Sequence, residues 1–159
     1  MLTAERLREL LDYDPETGIM TWQVDHRNAP AGSIAGTTTW ERYVRIWING
    51  RSYVRSRLAW LYTHGHWPAY QVDHINRNAG DDRLCNLREA TQSQNTANRA
   101  PWGRSGIKGV EVLPSGKFRV ALKVNGKRCY MGVWPTAEIA SAVYRNTAKL
   151  LHGKYAYVR

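Results

Sequence analysis

Two Asn-Gly pairs, Asn49-Gly50 and Asn125-Gly126, each lie between runs in which apolar and polar residues alternate. A two-residue turn of this kind needs positive φ at both positions, which Asn and Gly tolerate, and it joins antiparallel strands. The pairs predict a hairpin early in the chain and another late, and they exclude an all-helical fold. Around the first, Val44, Ile46 and Ile48 fall on one face, with Tyr43, Arg45 and Trp47 on the other. IMTW at 19–22, YVRIWI at 43–48 and SYVRSRLAWLY at 52–62 read as strands. Arg42, Arg45, Arg51, Arg55 and Arg57 cluster here, as phosphate grips or as the polar face of a half-buried sheet. The second hairpin implies strands at 107–112, 117–124 and 128–134.

Helical signals stand apart from these runs. Thr3 is placed to cap a short amphipathic helix over residues 3–11, with Leu7, Leu10 and Leu11 as its apolar side. DYDPETG at 12–18 reads as a turn. Thr91-x-x-Gln94 is a capping box, so a helix starts there and carries Asn95 on its first turn and a half. A last helix spans about 136–152, capped by Thr136, ended by Gly153, with Ile139, Val143, Leu150 and Leu151 as its expected buried stripe.

Charge is distributed unevenly. The net charge is +10, yet residues 1–103 carry 12 Arg, no Lys and 11 acids, a net of +1. Residues 104–159 carry 11 Lys or Arg against Glu111 and Glu138, a net of +9. A concentrated excess of cations favours a polyanionic partner, because each neutralised phosphate releases a condensed counterion. Hydrophobic residues make up 43% of the chain, enough for a packed core, and no apolar run approaches the ~20 residues that span a bilayer. MLTAERLRELL lacks the basic-then-apolar layout of an export signal, so an intracellular location is expected. Cys85 and Cys129 are 44 residues apart and form no C-x-x-C pair, which argues against structural zinc.

The remaining signal is chemical. Val72-Asp73-His74-Ile75 reads as a short strand, followed by a loop rich in Asn, Gly and Asp, then Asn86-Leu87-Arg88 and the capped helix. His64 and His66, in THGHW, read as turn residues ahead of that strand rather than as ligands. Asp73-His74, with Asn86 twelve residues after the His and Asn95 twenty-one after it, resembles the HNH endonucleases, in the phage-type homing branch that carries Asn in place of the final His. The resemblance implies a ββα-metal (His-Me finger) core. His74 would be the general base, Asn86 would hold the loop that aims it, and Asp73 with Asn95 would bind one Mg²⁺ or Mn²⁺ rather than zinc. The residue types suit that chemistry. An imidazole can take a proton from water near neutral pH, and carboxylate and amide oxygens are hard ligands. Asp82 stands where that family's wording carries Asn.

Residues 107–156, through IKGV, GKFRVALKVNGKRCYMGVW and TAEIASAVYRNTAKLLHGKYA, resemble the Apetala-two/ethylene-response-factor DNA-binding domain. That likeness implies a three-stranded sheet that reads duplex DNA, with Lys108, Lys123, Arg128 and Tyr130 at contact positions, and Arg119 joining them by strand parity. Phe118, Val120 and Leu122 would face the helix, and Trp134 would belong to the core.

Together these readings give an α+β chain: an N-terminal helix and hairpin region (1–67), the ββα core (68–100), a linker (101–106) and the reading module (107–159). The implied activity is metal-dependent, site-preferring nicking of double-stranded DNA in a bacterial or phage-infected cell. The protein would act as a monomer or weak dimer, with no small-molecule cofactor and no membrane partner. A non-catalytic DNA-binding regulator and an RNA-binding protein are the competing expectations.

Overall fold

The computed structural model describes every residue except Asn28, Trp102, Gly103, Asn125, Val158 and Arg159. The chain is α+β and divides into two compact units, Met1–Glu89 and Ala90–Arg159. Trp102 and Gly103 of the expected linker, and Asn125 of the second hairpin turn, lie outside the described residues. Among the described residues, no helix is long and apolar enough to cross a membrane.

The first unit opens with α1 (Ala4–Leu10), where Thr3 Oγ1 accepts from the Arg6 amide and caps the first turn. Leu7 and Leu10 point inward, and Leu11 continues the buried row into β1 (Leu11–Asp14). The expected turn at 12–18 is thus shorter. Asp12, Tyr13 and Asp14 belong to β1, which pairs antiparallel with β2 (Ile19–Trp22), Tyr13 opposite Met20. The turn itself is tied by Asp14, whose carboxylate accepts from the Glu16 amide and the Thr17 hydroxyl. Its closing residue, Gly18, has φ +73° and lies against the backbone of Asp82 and Arg83, where a Cβ would come within 2.5 Å. The β1–β2 turn therefore props up the loop at Asp82–Leu84, far along the chain, and Leu84 donates its amide to the Pro15 carbonyl at 3.0 Å.

β3 (Thr37–Thr38), β4 (Val44–Ile48) and β5 (Arg51–Val54) form a second sheet in that order. Val44, Ile46 and Ile48 are buried, while Arg45 and Trp47 are exposed. Asn49 and Gly50 have φ of 49° and 74°, the double left-handed geometry their sequence implies.

SYVRSRLAWLY is not one strand. It changes at Arg55 from β5 into α2 (Arg55–His64), which Gly65 ends at φ 78°. Leu58 and Leu61 are three apart and wholly buried, a helical spacing, and Arg, Leu and Ala are strong helix formers. The aromatic and β-branched residues that suggested a strand stop at Val54 or lie on the helix flank. Leu7, Leu11, Met20, Ile46, Leu58 and Leu61 close one core, each contributing about 1.5–3 kcal/mol by burial. β6 (Gln71–His74) and β7 (Leu87–Ala90) then pair as a two-stranded sheet at the end of this unit.

The second unit starts with α3 (Gln92–Asn98), opened by the capping box: Thr91 Oγ1 accepts from the Gln94 amide and Gln94 Oε1 from the Thr91 amide. β8 (Val110–Val112), β9 (Phe118–Val124) and β10 (Lys127–Trp134) form an antiparallel sheet with β9 central. Thr136 caps α4 (Ala137–His152), which packs on one sheet face.

The buried face of α4 differs from the expected stripe. Ala140, Tyr144 and Ala148 are the buried residues and Val143 is partly covered, whereas Ile139, Leu150 and Leu151 are exposed, Leu150 to 85%. Two alanines let the helix axis come close to the sheet, and the single Tyr144 ring fills the middle of the interface against Val110, Val120 and Leu122. Burial pushes the Tyr144 phenol up to about 12. Trp134 is half-buried against this core, its indole donating to the Met131 carbonyl at 3.0 Å.

Candidate functional site

Asp73 and His74 end β6, and both side chains are buried. Strand alternation sends them to different partners. Asp73 Oδ2 accepts from Nε and Nη2 of Arg88 on β7, at 2.9 and 2.8 Å. His74 Nε2 lies 2.8 Å from Asp82 Oδ1. Asp82 is 1% exposed, and its other oxygen accepts from Arg55 Nε at 2.7 Å. Arg55, the first residue of α2, also donates to the Gly80 carbonyl at 3.1 Å. The Tyr13 hydroxyl holds the Asp82 carbonyl at 2.7 Å, and burial together with the Asp82 charge raises the Tyr13 phenol well above its ordinary value.

The loop after β6 is built from short polar side chains that replace backbone bonds. Asn86 is its clasp. Its Oδ1 accepts from the Asn76 amide at 2.9 Å, and its Nδ2 donates to Asn76 Oδ1 at 3.0 Å and to the Asp81 carbonyl at 2.7 Å. Asn76 Nδ2 reaches Asp81 Oδ2 at 2.6 Å, and Arg83 grips both Asp81 oxygens at 2.7 Å, which holds the Asp81 carboxyl well below the usual carboxylate range. The Tyr43 ring lies 6.0 Å from the His74 ring. His64 stacks on Trp60 at 4.0 Å and His66 follows the Gly65 cap, both at the end of α2.

A metal ion would meet hard donors here. Among the described residues there is no group of three or more His, Cys, Asp or Glu side chains of the kind that forms an all-protein cage. One carboxylate with an amide oxygen suits a small, mostly hydrated cation such as Mg²⁺, which keeps waters and takes phosphate oxygens. The Asp73 carboxylate fits that donor type, with Arg88 fixing its orientation. Asn95 lies on the first turn of α3 in the second unit, its amide donating to the Thr91 carbonyl at 2.9 Å.

The outer face of the second unit's sheet brings together three of the five residues expected to meet DNA. Arg119 and Arg128 both converge on Tyr130, with guanidinium carbons 5.9 and 5.4 Å from the ring centre. Both also pair with Glu111, at 2.7 and 3.7 Å. Lys123 stands opposite Arg128 in the β9–β10 register, beside a recess of about 340 Å³ lined by Gln92, Ser93 and Thr96 of α3.

Lys108 is placed elsewhere. Its ammonium donates to the carbonyls of Thr96, Ala97 and Arg99, at 3.0, 2.5 and 2.6 Å, satisfying the open C-terminal end of α3. Ala121, on the same side of β9 as Arg119 by strand alternation, is buried.

Sequence reasoning missed Tyr13, noted Asp82 only as a departure from the family wording, and read Arg55 as a phosphate grip or part of a polar face, whereas Arg55 is buried on Asp82. Arg55 and Tyr13 are 27 and 69 positions from Asp82.

Residues 53–97 match the HNH endonuclease family, a span that begins within β5, covers α2, β6 and β7 and runs into α3. A curated relative, the uncharacterized HNH endonuclease L560 of Acanthamoeba polyphaga mimivirus, is 33% identical over 85 residues, 54% of this chain and 44% of that protein. The chain thus spans less than half of that relative's length. A solved structure described as DNA binding and cleavage by the HNH homing endonuclease I-HmuI aligns over 90% of this chain and 85% of its own, with 17% identity and a TM-score of 0.45.

Proposed function

We propose that this protein is a divalent-metal-dependent DNA endonuclease of the homing type that nicks duplex DNA at preferred sites. The observation that carries the reading is the match of residues 53–97 to the HNH endonuclease family, because that span contains His74, Asp73 and Asn86 in the hydrogen-bonded arrangement described above. His74 takes the proton from the attacking water. Asn86 keeps the 76–81 loop folded beside it, so the imidazole has one orientation. Asp73 would hold the ion, and the sequence resemblance alone names Asn95 as its second ligand. When bound, the ion supplies positive charge to the scissile phosphate and the leaving oxygen. The expected products carry 5′-phosphate and 3′-hydroxyl ends.

Arg119, Arg128, Tyr130 and Lys123 are proposed to contact the duplex through the outer sheet face, with Lys108 bracing α3 instead. Glu111 pairs with both arginines and competes with phosphate for them. Arg119→Ala and Arg128→Ala are each expected to weaken duplex binding and to reduce the slope of log K against log salt by about 0.9. Glu111→Gln is expected to tighten binding. Fluorescence anisotropy with a labelled duplex across a salt series checks all three.

The reading is tested on supercoiled plasmid. The wild-type protein should relax it with Mg²⁺ or Mn²⁺, activity should fall to background in EDTA, and excess metal should restore it. Relaxation that persists in EDTA removes the metal-dependent mechanism. Tight duplex binding with no relaxation under any of these metals leaves the regulator reading in its place.

A further inference from the structure

We infer that Asp82, clamped by Arg55, is a positioning residue that fixes the proton of His74 on Nε2 and so leaves Nδ1 as the basic nitrogen. The inference deepens the nuclease reading and rests on it for the role of Nδ1; the location of the proton stands on geometry alone. A guanidinium has only donors and a carboxylate only acceptors. Asp82 therefore receives Arg55 Nε–H on Oδ2 at 2.7 Å and must receive a second N–H on Oδ1, where His74 Nε2 stands at 2.8 Å. The neutral imidazole carries one proton, so its presence on Nε2 makes Nδ1 the acceptor.

The carboxylate has little freedom to turn away. Tyr13 holds its backbone carbonyl, Gly18 lies against its backbone, and Arg55 is anchored a second time on the Gly80 carbonyl. Arg55 also supplies the positive charge that a buried carboxylate needs.

The arrangement makes an unusual prediction for a near-isosteric change. In Asp82→Asn, the amide has one accepting end and one donating end. Arg55 Nε–H can bond only to the oxygen, which turns the amide NH₂ toward His74 Nε2. That nitrogen must then accept, the imidazole proton moves to Nδ1, and the base is blocked. In the double variant Arg55→Met/Asp82→Asn the amide is released. Its oxygen can return to His74, and the proton returns to Nε2.

The test uses full-length protein with ¹⁵N-labelled histidine at mildly alkaline pH, the His74 signals being assigned by their loss in His74→Gln. Imidazole ¹⁵N shifts report which nitrogen is protonated, nicking is measured in parallel, and thermal melts verify that each variant is folded. Expected are Nε2–H in the wild type, Nδ1–H in Asp82→Asn with nicking reduced on the order of 10²–10⁴-fold, and Nε2–H with at least a roughly tenfold recovery of nicking in the double variant. A wild type protonated on Nδ1, or a folded Asp82→Asn that keeps Nε2–H, overturns the inference. A tautomer that moves as described while nicking stays unchanged supports the proton assignment and overturns His74 as the base.

Discussion

His74→Ala is expected to leave the protein folded and to lower plasmid nicking by about 10²–10⁴-fold, the range a positioned general base supplies. Folding should survive because the substitution does not orphan a buried charge. Asp82 keeps its ion pair with Arg55 at 2.7 Å, and its backbone stays held by Tyr13. The cost is the volume of one imidazole and its N–H to Asp82 Oδ1, which a water in the space left behind can replace. Circular dichroism melts of both proteins should therefore lie close together while their nicking rates separate. Equal nicking by two well-folded proteins would remove His74 from the chemistry.

Gly109→Ala is expected to be the most damaging single methyl in the second unit. Gly109 has φ +69°, a region that costs an L-residue about 1–2 kcal/mol. A Cβ there would overlap the Tyr144 ring and come within 2.6 Å of the Ala121 carbonyl. The ring cannot yield, since it fills the space between α4 and the sheet, and the carbonyl belongs to β9, which is paired on both sides. Overpacking adds about 1–3 kcal/mol. The sum, about 2–5 kcal/mol, should appear as a lower urea midpoint with an unchanged slope. The partner variant Gly109→Ala/Tyr144→Leu should recover part of the loss if the ring is the obstacle. No recovery would place the strain in the backbone alone.

What could be read in advance was local. The Asn49-Gly50 turn, the Thr91/Gln94 capping box and the Thr136 and Gly153 caps each satisfy backbone groups within a few residues, so their chemistry is complete in a short window. Three features depended on distant packing instead. β1 was hidden by the Asp and Pro of its turn, and only pairing with β2 makes residues 12–14 extended. α2 was hidden by Tyr53, Val54 and Trp60, whose strand preference holds only up to the point where Leu58 and Leu61 find the core. The inward face of α4 depended on how near the helix lies to the sheet, which Gly109 and two alanines set together.

The candidate site divides the same way. His74, Asp73 and Asn86 stand in a recognisable spacing, but the Arg55–Asp82–His74 relay joins residues from α2, a loop and β6. No short pattern announces a pair 27 residues apart.

The brace formed by Lys108 has a consequence for how such an enzyme would choose its cut. Three carbonyls at the end of α3 are tied to the residue that leads into β8, and the Tyr157 amide adds a further tie to Ala97. The helix carrying Asn95 and the sheet carrying Arg119 and Arg128 are one piece of the same unit. On the proposed reading, the spacing between Asn95 and the side chains that read the bases works as a ruler cut into that piece. Its length is set by hydrogen bonds, and extra residues inserted at the exposed tip of a hairpin would leave it unchanged.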